Sequence, residues 1–174
     1  MRRIALLSGL VLVGGLLGPS TALAQQDTSD RWIAVEDQFA VVLPDGQTFT
    51  EDNAPMDETQ APPVGTQVFI SEVLYTTDDG QTRGDAVGRT HIQCTAQAVE
   101  FNFLCDAAFV LDSGSQLLVS VDADFGAQGP ETLDIAVTGG TGDWFGATGV
   151  VTLTDMSTAD ETVTLYEADL VLAR

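Results

Sequence analysis

Gly139-Gly140-Thr141-Gly142-Asp143-Trp144-Phe145-Gly146-Ala147-Thr148-Gly149 decides how this chain folds. It follows a strand-like run, Leu133 to Val137, and precedes another, Val150 to Thr154. Five glycines in eleven residues exclude a helix, because each costs about 1 kcal/mol there relative to alanine. Between strands, glycines supply positive φ and close backbone approach. A phosphate-binding loop would need a helix after the glycines and usually a lysine. Here a strand follows, and the chain has no lysine. The stretch reads as a glycine-rich connection inside an all-β protein.

Working outward, strand-like segments separated by turns fill the chain. They are Trp32 to Leu43, Thr66 to Tyr75, Gly84 to Gln97, Val99 to Leu111, Gln116 to Phe125, Leu133 to Val137, Gly149 to Asp155 and Thr162 to Leu172. Turns stand at Leu43-Pro44-Asp45-Gly46, Thr76 to Gly80 and Asp112-Ser113-Gly114. No segment keeps a helical period, and eight short strands with turns between them read as a sandwich or a closed barrel. In the first strand the apolar positions 33, 35, 39 and 41 suggest one inward face. Residues 44–65 are acidic and proline-containing, and read as a long surface loop, either a connector or a flap over the barrel mouth.

The glycine stretch, with its GGTG and aromatic pair Trp144-Phe145, resembles the allene oxide cyclase and dirigent-protein barrels. Val87-Gly88-Arg89, Cys94-Thr95, Phe103-Leu104-Cys105 and Leu133 to Val137 running into the GGTG add to the likeness, which covers about residues 64–172. The resemblance implies an eight-stranded antiparallel barrel of lipocalin-like shape with room for one small ligand. Bacterial proteins similar to this barrel include spirotetronate and spirotetramate cyclases, which form rings by intramolecular [4+2] cycloaddition of a polyene. The resemblance therefore implies a cofactor-independent cyclase or isomerase acting on an apolar, polyketide-like substrate. The alternative is a secreted, non-catalytic barrel that binds or steers an apolar ligand, as the dirigent likeness suggests.

Residues 1–24 carry a basic start, Arg2-Arg3, an apolar stretch from Ile4 to Leu17, and the small-x-small site Ala22-Leu23-Ala24. They read as a secretory signal peptide cleaved near Ala24, leaving residues 25–174 as one secreted domain. No other stretch is apolar enough to cross a membrane. The formal net charge of −20 disfavours nucleic acid and anionic membrane as partners and suits a solvated acidic surface. An oligomer of two or three copies is compatible with this reading. A single histidine and two cysteines, without a CxxC, give no zinc set, and no acidic run has calcium-loop spacing, so no metal or cofactor is expected. His91 and Cys94 have opposite parity on one strand and would face apart, which disfavours a nucleophile pair. In an exported protein, Cys94 and Cys105 on adjacent strands read as a structural disulfide.

Strand parity selects the candidate lining. Phe101, Phe103, Cys105, Ala107 and Phe109 alternate with polar and smaller residues, as do Leu117 to Phe125 and Leu133 to Val137, so the odd positions should point inward. That places Cys105 and Cys94 inside, with Arg89, His91 and Gln93 outside. For residues 66–75 both faces carry apolar side chains. Val68, Ile70, Glu72 and Leu74 form one, and Phe69, Ser71, Val73 and Tyr75 the other. If the first faces inward, Glu72 is a desolvated carboxyl able to serve as acid or base. Tyr75 and Tyr166 are alternative hydrogen-bond donors to a ligand oxygen. The candidate catalytic residues are therefore Glu72 and Tyr75. The candidate substrate-lining residues are Phe69, Phe101, Phe103, Phe125, Trp144 and Tyr166, with Trp144 closing or plugging one end.

Overall fold

A computed structural model describes residues 25–50, 53, 60–126 and 130–173. The expected signal peptide, residues 1–24, and most of the acidic loop of residues 51–59 lie outside the described residues.

Among the described residues, nine strands form one antiparallel sheet: β1 Gln25–Val42, β2 Thr48–Thr50, β3 Gln67–Thr76, β4 Ala86–Ala96, β5 Asn102–Leu111, β6 Gln116–Asp124, β7 Thr132–Thr141, β8 Thr148–Asp155 and β9 Val163–Ala173. Neighbours in sequence are neighbours in space from β3 to β9, as hairpin turns of a few residues dictate. The barrel closes through β1. Its first part, Gln25 to Val35, pairs with β9, and Trp32 to Val42 pairs with β3. An eight-stranded antiparallel barrel results, with β2 as an added edge strand on β1. Closure leaves few main-chain groups unpaired.

Two details differ from the sequence reading. The polar segment Gln25 to Arg31 is strand, not leader to a strand, because it supplies the seam with β9. The register shifts between Glu36 and Gln38, a β-bulge that reverses the inward set. Trp32 and Ala34 join the core before it, and Val41 is buried after it. Positions 33 and 35 therefore do not share a face with 39 and 41.

The glycine element closes the floor of the barrel. β7 continues through Gly139 and Gly140, which pair with Leu118 and Leu117 of β6. The chain then makes a 3-10 turn, Gly142–Trp144, that carries the Trp144 indole under the barrel. Only glycine fits at 140, where a Cβ would lie 2.4 Å from the Trp144 carbonyl oxygen. Ser115 holds the turn: its hydroxyl accepts from the Asp143 N–H (3.1 Å) and donates to the Asp143 carboxylate (3.0 Å). Trp144 packs edge-on against Trp32 at 5.7 Å, and its Nε1 donates to Asp30 on β1.

Cys94 and Cys105 are directly opposed across β4 and β5 and form a disulfide, with Cα atoms 4.0 Å apart. Both are buried and border the interior. The loop it closes spans 11 residues, so the chain-entropy argument gives about 2–3 kcal/mol. Replacing both cysteines by alanine should lower the melting temperature by roughly 4–12 °C. A melt unchanged within 1–2 °C would show that the bridge adds nothing to the strand pairing.

Candidate functional site

Above the Trp144 floor lies an interior cavity of about 160 Å³. Its walls are mostly apolar, with Ile70, Ile92, Phe109, Val119, Ile135 and Leu153 among them. The hydrophobic faces of β3 to β8 build it, as the period-two alternation requires.

Of the carboxyl-bearing residues in this wall, one is buried. Glu72 is 3% exposed, on the same face of β3 as Ile70 and Leu74. Three hydroxyls reach it. Thr90 on β4 and Tyr166 on β9 donate to Oε2, at 2.5 and 2.9 Å, and Thr164 donates to Oε1 at 3.3 Å. Burial raises the Glu72 pKa above its ordinary 4.5, and the nearby Asp37 adds to that; the three hydroxyls act against it. Burial, reinforced by the Glu72 charge, pushes the Tyr166 phenol well above its usual value, so Tyr166 keeps its proton. The cluster is thus a carboxyl able to hold a proton in an apolar space, with three donors ready to receive the charge when that proton leaves.

The sequence candidates separate cleanly. Glu72, Tyr166 and Phe125 border the cavity. Phe103 packs edge-on against Phe125 at 5.7 Å, near the mouth. Trp144 belongs to the floor, in the core cluster with Trp32 and Phe109. Tyr75 is on the outer face, where the Arg83 guanidinium lies 5.9 Å from its ring, and it cannot reach an interior ligand. Phe69 is also outside and 37% exposed. Phe101 sits in the β4–β5 hairpin turn at φ +58, with its carbonyl accepting from the Phe125 N–H, away from the lining. His91 and Gln93 are exposed, and Arg89 pairs with Asp37 on the outside. Thr90 and Thr164 were not anticipated. Both share parity with inward residues, Thr90 with Ile92 and Cys94 and Thr164 with Tyr166, and that was the signal available.

Among the described residues, no group of three or more His, Cys, Asp or Glu could hold a metal ion, and no helix is long and apolar enough to cross a membrane.

Neutral Glu72 stabilises the fold below its unfolded pKa of about 4.5, and that contribution is lost as pH rises through its raised folded pKa. Asp155 and Glu161 act oppositely. Their pKa values are lowered by Ser157 and by Arg83, so their contributions are lost as pH falls. Comparison with Glu72→Gln isolates the buried group. As pH rises above the unfolded value of about 4.5, the wild type should lose stability relative to the variant, with a slope no steeper than about 1.4 kcal/mol per pH unit, until the raised folded pKa is passed. Parallel melting curves across that range would mean that Glu72 is ionised throughout.

No family model matches the chain, and no curated protein matches it. Solved structures do. The pterocarpan synthase dirigent protein GePTS1 is similar at TM-score 0.64 and 16% identity, over 87% of this chain and 93% of that one. Pyocyanin demethylase is similar at 0.57 and 23%, over 82% and 99%. AbnU, an exo-specific intermolecular Diels-Alderase, is similar at 0.56 and 13%, over 85% and 98%. At these identities the likeness concerns architecture: this chain has the closed antiparallel barrel that a dirigent protein and a Diels-Alderase also have.

Proposed function

We propose that this protein is a cofactor-independent small-molecule cyclase. It folds a hydrophobic linear polyene so that the reacting carbons lie in the barrel, and promotes [4+2] carbon–carbon bond formation. The observation that carries this reading is Glu72. Burying a carboxyl costs several kcal/mol unless it is well partnered, and a passive container gains nothing from one in its wall. A protonated Glu72, backed by Tyr166, can donate a hydrogen bond to the carbonyl of an electron-poor alkene. The volume fits the reacting part of such a substrate. A cavity of about 150 Å³ accepts benzene, and a [4+2] transition state has six reacting carbons; the rest of a longer chain would extend past Phe125 to the mouth.

Catalysis would come mainly from shape. Holding the two ends in contact can supply up to about 7–11 kcal/mol of the barrier, and the Glu72 hydrogen bond adds to it. The disulfide favours one further element, an oxidising compartment. We therefore read residues 1–24 as a secretory signal and the protein as exported. The same observation keeps a second reading in play, a secreted dirigent-like barrel that binds or steers an apolar ligand without turning it over.

The test is product formation from linear diene–enone compounds with purified protein. Phe103→Ala should reduce turnover or scramble product stereochemistry. Glu72→Gln keeps the shape and should slow turnover about tenfold to a hundredfold. Binding of apolar ligands with no turnover of any diene would favour the non-catalytic barrel.

A further inference from the structure

Among the described residues, the Glu72 carboxyl has three donors and no cation. Thr90, Thr164 and Tyr166 give it hydroxyl hydrogen bonds, each suited to a carboxylate. No basic side chain borders the cavity. The chain has no lysine, and the described arginines pair elsewhere, Arg31 with Glu167, Arg83 with Glu161 and Arg89 with Asp37. His91 is exposed on the outer face. The titratable groups that border the cavity from other strands are Glu36 on β1, Asp106 on β5 and Tyr166 on β9, and none of them can supply a positive charge. Asp37, paired with Arg89 outside, acts on Glu72 as a further negative charge. In the empty cavity burial favours the protonated carboxyl. A guest that brings its own positive charge removes the need for that proton. The rest of the wall selects the cation. Phe109, Phe125 and Tyr166 border the same space, and ring faces attract cations within about 6 Å of their centroids. Both Glu72 oxygens already accept from hydroxyls, and the remaining wall is mostly apolar. A primary ammonium would bury N–H donors for which this wall has few acceptors. A quaternary ammonium has no N–H to satisfy. Choline is only slightly larger than benzene, which a cavity of about 150 Å³ accepts, and this one is about 160 Å³. The net charge of −20 enriches cations around the protein.

We propose that the cavity is a binding site for a small, free quaternary ammonium ion, held by the Glu72 carboxylate and the Phe109, Phe125 and Tyr166 rings. This goes beyond the cyclase reading and shares with it only the premise that the cavity admits a small guest. The two uses of Glu72 exclude one another, since cyclisation uses its proton and the cation displaces it. A phosphocholine headgroup is a poorer guest, because its phosphate would bring a second anion into a space bordered by no basic residue.

Choline and its uncharged isostere 3,3-dimethylbutan-1-ol are the probes, with binding followed by calorimetry and ligand-observed NMR. In the wild type, choline affinity should rise as pH rises above about 4.5, by at most about tenfold per unit, and level off once Glu72 is ionised without a ligand. The affinity of the alcohol should not rise. On the plateau choline should bind at least about tenfold more tightly than the alcohol. Glu72→Gln should abolish the pH dependence and bring choline to within about threefold of the alcohol. The wild-type pH series stands as a test even if that variant fails to fold. Ethanolamine and phosphocholine should each bind at least about tenfold more weakly than choline. Tighter binding of phosphocholine would make this a headgroup site and overturn the assignment of a free ion. A pH dependence removed by Glu36→Gln but kept in Glu72→Gln takes the charge away from Glu72 and overturns the proposal. A wild type that binds the alcohol at least as tightly as choline at every pH overturns the cation site and leaves the cavity reading standing. A wild type that binds neither overturns both.

Discussion

Gly149→Ala should leave a chain that cannot close its barrel. Gly149 stands between β7 and β9, opposite Val137 and Leu170. A Cβ built there would lie 2.1 Å from the Asp169 carbonyl oxygen and 3.1 Å from the Leu170 Cα. Both are backbone atoms, so no side chain can swing aside, and β8 must separate from β9. The backbone is also at φ +140, which costs a side-chain-bearing residue about 1–3 kcal/mol by itself. With the clash added, the loss should exceed about 4 kcal/mol, the range reserved for a broken structural feature. Gly114→Ala is the control. It is also at positive φ, +88, but nothing lies within 4 Å of its Cβ position, so it should cost only the conformational part. Urea unfolding of the two variants separates strain from collision. If both unfold at the same urea concentration, the β8–β9 seam is more pliable than its packing implies.

That glycine was legible before the fold was, because five glycines between two strands have few uses other than close backbone passage. Parity worked equally well on β5, β6 and β7, where Phe109, Leu117, Val119 and Ile135 are all buried. It failed on β1 for a specific reason. A bulge inserts one residue and exchanges the faces, and nothing in Glu36-Asp37-Gln38 announces it. On β3 the sequence could not choose a face, since apolar atoms also cover much of any protein's outer surface. Phe69 and Tyr75 are such residues, the latter sheltered by Arg83. Of the site, Glu72 and Tyr166 stood out as unusual residue types in apolar patterns. Thr90 and Thr164 did not, because threonine is ordinary in a strand and only burial beside a carboxyl gives it a role.

Phe109→Ala should be the most damaging change in the cavity wall, and its damage should be partly reversible. Phe109 is 1% exposed and joins the floor to the site. Its ring lies 5.7 Å from that of Trp32 and meets Tyr166 edge-on at 4.9 Å. Truncation removes the transfer free energy of the ring and leaves a void, together about 3–5 kcal/mol. In a domain of this size that is a fall of roughly 6–20 °C in melting temperature. Since the new void is continuous with an apolar cavity, benzene should bind the folded variant and raise its melting temperature with concentration, as any ligand exclusive to the native state must. The wild type should respond less. Function should suffer beyond stability, because the lost ring is what holds the Tyr166 phenol against Glu72, and saturating benzene restores volume but not that fixed edge-on contact. Turnover that returns fully with a small, non-competing filler would show that Phe109 acts through stability alone. Turnover that stays low in a variant re-stabilised by benzene would be consistent with Phe109 setting the Tyr166–Glu72 geometry, once competition by benzene for the cavity is measured on the wild type.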